Sequence, residues 1–137
     1  MRRTVGVVGI AVALAAAAVA PAGAEPAAEP LYDLIDAAAQ RLQTADPVAA
    51  SKWLSGGPIT DPARVAQVLA AVSADAESAN VPGDFVARVF TDQINATEAI
   101  QYSRFSWWKL DPAAAPGSAP DLSSSRALID GLNQRMV

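Results

Sequence analysis

The stretch "DFVARVFTDQINATEAIQYSRFSWW", residues 84–108, decides the fold. Phe85, Val86, Val89, Phe90, Ile94, Ile100 and Phe105 recur at three- and four-residue intervals, the spacing that builds one apolar face of an α-helix. No proline or glycine interrupts the run, so the spacing predicts one long helix over 84–108. Beside its apolar face stand Thr97 and Gln101, one turn apart and projecting from the same side. Two uncharged hydrogen-bonding side chains placed so are either a solvated flank or a pair that meets a polar ligand inside a helical bundle.

Neighbouring segments carry the same period. Before this stretch, "VPGD" at 81–84 restarts the chain after a stripe of Val65, Val68, Leu69 and Val72 that ends near Asn80. That stripe opens at Asp61-Pro62, where aspartate can cap a helix and proline suits its first position. Further upstream, Leu34, Ile35, Ala38, Leu42 and Ala45 keep helical spacing from Leu31 onward. Asp46-Pro47 interrupts them, which predicts a helix that is kinked or restarted through Trp53 and ended by "SGGP" at 55–58. Downstream, "LDPAAAPGSAP" at 110–120 reads as a linker or ordered loop. Asp121 or one of Ser123–Ser125 then caps a last helix bearing Leu128, Ile129, Leu132 and Met136. No alternating strand pattern, internal repeat or glycine-rich phosphate loop is present. The prediction is an all-α bundle of about four helices over 31–137. Its last helix stops in mid-pattern at Met136-Val137, which reads as a chain cut short.

The N-terminus predicts export. Met1-Arg2-Arg3 precedes the uncharged run "TVGVVGIAVALAAAAVA", and Ala22-Gly23-Ala24 supplies small residues at the cleavage position. These are the parts of a signal peptide, residues 1–24, cleaved after Ala24. A weakly apolar Ala- and Gly-rich core favours removal over retention as a membrane anchor. "EPAAEP" at 25–30 reads as a flexible lead-in. All 14 acidic residues but only 8 of the 10 basic ones follow residue 24, so residues 25–137 carry a formal charge of −6. An acidic domain without a basic run is a poor partner for nucleic acid or anionic lipid. No stable membrane insertion is expected once the signal is removed. The 113 residues of 25–137 suffice for one modest core but not for two.

There is neither cysteine nor histidine. Disulfides, thiol nucleophiles, histidine-based triads and the usual zinc sites are thereby excluded. No metal and no cofactor is called for. Chemistry must come from Arg, Lys, carboxylates, amides and hydroxyls. Arg41 and Lys52 are 11 residues apart, close to three full turns, so a continuous helix would point both the same way. Their Cα atoms would stand about 16 Å apart along the axis. Two long side chains leaning inward could close that gap by roughly 12 Å, leaving room for a small anion. Arg64 sits in the first turn of the helix that follows Asp61-Pro62, where a cation opposes the helix dipole unless an anion meets it.

"DAAAQRLQTADPVAASKW" (36–53), "RVFTDQINATEAIQYSRFSWWKL" (88–110) and "PDLSSSRALIDGLNQRM" (120–136) together resemble the exported, all-helical chorismate mutases of actinobacteria. The Arg-x10-Lys, D-x-x-R and T-x-x-x-Q spacings are similar to the wider helical pattern of that class. The resemblance implies rearrangement of chorismate, a dianion, to prephenate, without proton transfer or covalent intermediate. It implies that Arg41, Arg64 and Arg126 bind substrate carboxylates and that Lys52 contacts the ether oxygen and a carboxylate. By the same resemblance Thr97 lies near a carboxylate, Asp61 near the ring hydroxyl, and Gln101 donates to the ether oxygen. Lys52, Gln101 and Arg64 would be the catalytic set. Several members of the class carry glutamate at the position of Gln101, and exported relatives can carry glutamine at that of Val68. They also continue through further helices beyond "GLNQRM", and the class forms homodimers in which each protomer holds a complete site. Two other readings fit the composition: a non-catalytic exported helical scaffold that binds an anion or a protein, and a short helical module fixed to the envelope by an uncleaved N-terminus.

Overall fold

The computed structural model describes residues 29–137; the expected signal peptide, its expected cleavage site and most of the expected lead-in lie outside the described residues. Five α-helices follow in order: α1 (Glu29–Gln43), α2 (Ala45–Ser55), α3 (Pro62–Ser78), α4 (Gly83–Leu110) and α5 (Leu122–Met136), with one 3-10 turn at Pro112–Ala114 before α5. No strand occurs among the described residues. Glu29 and Pro30, expected in the lead-in, form the start of α1. Proline loses nothing in a first turn, and an acid there complements the helix dipole. No helix among the described residues is long and apolar enough to cross a membrane.

The break between α1 and α2 falls at Thr44, which still holds right-handed dihedrals of −68° and −13°. Its hydroxyl donates to the Arg41 carbonyl at 2.7 Å, and Pro47 sits in the first turn of α2, where its missing N–H goes unused. The restart is therefore a jog in one continuing path, and α1 with α2 counts as one kinked helix of a four-helix bundle. Gly56 ends α2 at φ +71°, a left-handed position that a side chain would strain, and the N–H groups of Gly56 and Gly57 return to the Lys52 carbonyl. Asn80 ends α3 in the same region, at φ 59°. There the Val81 N–H bonds the Ala76 carbonyl at 2.8 Å and the Asn80 N–H the Glu77 carbonyl at 3.1 Å, which satisfies two of the last carbonyls.

Two apolar clusters hold the helices together. Val68, Val72 and Ala76 of α3 pack against Val86 and Phe90 of α4, as an antiparallel pair requires. At the other end of α4, Trp108 packs on Ala49 and Ala50 of α2, and Trp53 meets Phe105 and Trp108 edge-on at 5.2 and 5.5 Å. α5 runs antiparallel to α1, since Arg135 reaches Asp36 while Asn133 reaches Arg41.

The buried line of α4 differs from the expected one. Phe85 (53% exposed) and Val89 (38%) face outward, and the buried residues are Val86, Phe90, Thr97, Gln101 and Trp108. Those five are separated by four or seven residues, so they stay on one side of the helix; Phe85 and Val89 lie one residue, about 100°, away from it. Leu34 and Ile35 are likewise exposed, because α5 reaches only to the level of Asp36 and α1 runs past it. Leu128, on the expected apolar face of α5, is also exposed.

Candidate active site

Arg41, Lys52, Asp61, Arg64, Thr97, Gln101 and Arg126 all line one partly open cavity of about 100 Å³ walled by α1 to α5. Every helix contributes, and Val48, Ile59, Val65, Val68 and Ile94 supply apolar wall between the polar groups. The jog at Thr44 preserves the helical path closely enough for Arg41 and Lys52 to face the same space.

Arg41 leaves the last turn of α1 and is 4% exposed. Its Nε–H donates to Asn133 Oδ1 at 2.8 Å, one terminal nitrogen lies 3.5 Å from Thr97 Oγ1, and the guanidinium stands 5.6 Å from the centre of the Phe90 ring. Burial, then the neighbouring charge of Arg64, push its pKa down to about 10, with Asp130 opposing. It is still charged at neutral pH. Lys52 donates through Nζ to the Ile59 carbonyl at 2.5 Å. Burial lowers its pKa, while the carboxylates of Glu98 and Asp61 pull the other way. The loop that presents Ile59 is fastened to α4, because Thr60 meets Glu98 at 3.0 Å and the Tyr102 hydroxyl at 2.9 Å.

Asp61 serves two neighbours. Oδ1 accepts the Arg64 backbone N–H at 3.0 Å, capping α3, and Oδ2 accepts from Arg126 at 3.2 Å. The Arg64 guanidinium pairs with Asp130 at 2.5 Å. That pairing answers the expected conflict of Arg64 with the helix dipole, since a carboxylate does meet it. Thr97 donates to the Gln93 carbonyl at 2.6 Å. Gln101 is 3% exposed, and its side-chain oxygen is buried without a hydrogen-bond partner. A buried polar atom left so costs about 1–3 kcal/mol, and such groups mark places built for something other than stability.

The charges decide what the cavity favours. Four cations line it, Arg41, Lys52, Arg64 and Arg126, against two carboxylates, Asp61 and Glu98, which leaves a formal +2. The described groups hold no cluster of three metal-ligating side chains. A doubly positive, half-apolar cavity in an acidic domain suits a small dianion with an apolar body.

Sequence reasoning did not single out Asn133, Asp130, Glu98 or the Ile59 carbonyl. Asn133 had a readable signal: it follows Ile129 by four residues, a polar residue on the inward line of α5, as Thr97 and Gln101 are on α4. The Ile59 carbonyl had none, since a backbone acceptor carries no mark in the sequence.

The chorismate mutase type II family profile matches residues 32–102. Two secreted chorismate mutases are similar over almost the whole chain: one from Mycolicibacterium smegmatis, 56% identical over 93% of this chain and 71% of its own length, and one from Mycobacterium tuberculosis, 53% identical over 95% and 65%. Among solved structures, the chorismate mutase from Burkholderia thailandensis superimposes with a TM-score of 0.73 at 37% identity, covering 78% of this chain and 68% of that one. The chorismate mutase from Burkholderia phymatum gives 0.72 at 31% identity, covering 79% and 66%.

Proposed function

This chain belongs to the chorismate mutase type II family and is a chorismate mutase, and we propose that the doubly positive cavity is where chorismate is rearranged to prephenate. The observation that carries the assignment of the site is the convergence of four cations and a buried, unsatisfied amide on one small apolar-walled space. The reaction breaks a C–O bond and forms a C–C bond within one molecule. It needs no nucleophile, base or cofactor, which suits a chain without histidine or cysteine.

The protein has two tasks. It must hold the side chain of the substrate over its ring, and paired carboxylates are the handles for doing so; guanidinium groups of Arg41, Arg64 and Arg126 grip them in planar, two-point fashion. It must also stabilise the negative charge that grows on the ether oxygen as the C–O bond lengthens. Lys52 supplies a compact positive charge there and Gln101 an amide N–H; half a turn about its last bond exchanges the amide's oxygen and nitrogen. Thr97 meets a carboxylate by turning its proton away from Gln93, and Asp61, held by Arg126, faces the ring hydroxyl.

All seven residues come from one chain, so the homodimer implied by the resemblance would hold a complete site in each protomer. Export follows the secreted relatives, with cleavage after Ala24 and no insertion in the membrane afterwards. The direct test is the loss of chorismate ultraviolet absorbance with purified 25–137, beside Arg64→Ala. Turnover that survives unchanged in the variant removes Arg64 from the site. No turnover from the helical parent refutes the assignment of the cavity.

A further inference from the structure

The seven candidate residues line the cavity, but they do not aim themselves. A guanidinium on a freely rotating side chain presents no fixed pair of N–H groups to a carboxylate, and orientation is most of what this reaction asks of the protein. Arg41 is aimed by two groups outside the cavity lining. Phe90 stands beside its guanidinium at 5.6 Å, and Asn133 Oδ1 accepts its Nε–H at 2.8 Å across 92 residues of sequence. Because the guanidinium is planar and rigid, an acceptor on Nε fixes the plane and leaves the terminal nitrogens on the side toward the cavity. One of them already points at Thr97.

The chemistry of the partner matters as much as its place. Asn133 is 4% exposed, so its bond to Arg41 is formed out of water and is not loosened by competition with solvent. An amide oxygen accepts without bringing charge. A carboxylate there would form a buried ion pair with Arg41 and cancel the charge that a dianion needs. Arg64, by contrast, is held by the carboxylate of Asp130, one turn earlier on α5, and that carboxylate is half exposed and screened by solvent.

We infer that Asn133 is a positioning residue that aims Arg41 into the cavity without sharing its charge. The inference rests on the reading of Arg41 as a substrate-binding group. The test is a double-mutant cycle in the full exported chain: Arg41→Ala, Asn133→Ala and both together, with kcat and KM measured against chorismate and thermal unfolding recorded for each. Asn133→Ala lowers kcat/KM by about tenfold, the worth of one hydrogen bond to a charged group, chiefly through KM. Added to Arg41→Ala it lowers kcat/KM no further, because the group it aims is gone. Losses that multiply, or an Asn133→Ala enzyme within about twofold of the parent, overturn the proposal. If Asn133→Ala does not fold, the near-isosteric Asn133→Asp decides: it raises KM while leaving the melting temperature at or above the parent's, and an unchanged KM overturns the proposal. An Arg41→Ala enzyme with full activity removes the premise itself, and that failure is visible in the single variant before Asn133 is touched.

Discussion

Replacing Gln101 with glutamate tests the assignment of the amide more sharply than deleting it. The side chain is 3% exposed, its oxygen has no partner, and the parent amide donates at any pH. Glutamate in the same place donates only when protonated. Full burial alone raises a carboxylate by about 3–5 pH units, and the cavity's four cations pull the other way. A net rise of about 1–2 units from the usual value near 4.3 puts the variant at about 5.3–6.3. At pH 7.5 only about 0.6–6% of it is then protonated, so kcat/KM falls about 15- to 150-fold below the parent and recovers about tenfold per pH unit on acidification until the carboxyl is largely protonated. The assay is kcat/KM from pH 5 to 8, which reports the free enzyme. The parent is expected to be flat near neutrality. A Gln101→Glu enzyme with the parent's rate and a flat profile shows that Gln101 gives no hydrogen bond to the reacting oxygen. A parent whose rate rises steeply as the pH drops refutes the same assignment from the other side.

Lys52→Ala loses about 10²- to 10³-fold in kcat, as removal of one preorganised charge donor does elsewhere, and retention of more than a tenth of the rate contradicts the role of Lys52. Since burial lowers the pKa of Lys52, its charge is lost on the alkaline side earlier than that of a free lysine. The kcat/KM of the parent therefore declines there, and a Lys52→Arg enzyme does not share the decline. Phe90→Ala empties the centre of the α3–α4 core and costs about 3–5 kcal/mol in denaturant unfolding; a loss below about 1 kcal/mol contradicts the packing described. Intact-mass analysis of the exported protein gives a chain that starts at Glu25, and a mass that retains residues 1–24 refutes cleavage.

The sequence made the helices legible and left their faces less so. Asp61-Pro62, "SGGP" and Asn80 announce a cap, a stop and a stop through local chemistry, and all three act as expected. Phe85, Val89, Leu34 and Ile35 were expected inside and lie outside. Periodicity records which residues share a side of a helix, but how far a neighbouring helix extends along that side is a tertiary fact. All seven candidate residues converge on one cavity, and it was family spacing, not the properties of any one residue, that singled them out. The partners that hold them escaped for physical reasons. Ile59 acts through its backbone, and Asn133 and Asp130 act on residues 92 and 66 positions away.

The family profile ends at residue 102, and within it lie Arg41, Lys52, Asp61, Arg64, Thr97 and Gln101. Each of the three arginines is nonetheless tied through α5. Asn133 takes the Nε–H of Arg41, Asp130 takes Arg64, and α5 itself supplies Arg126, which pairs with Asp61. Without α5, Arg41 and Arg64 would be two like charges sharing one wall; with α5 in place, burial first and then that repulsion lower the pKa of Arg41, and Asp130 of α5 opposes them. α5 thus has an electrostatic task as well as a packing one. It separates and aims cations that the other helices can only bring together. A spacing motif drawn from residues 41–101 points to the chemistry, but the contacts that hold its arginines and Asp61 reach to 126, 130 and 133.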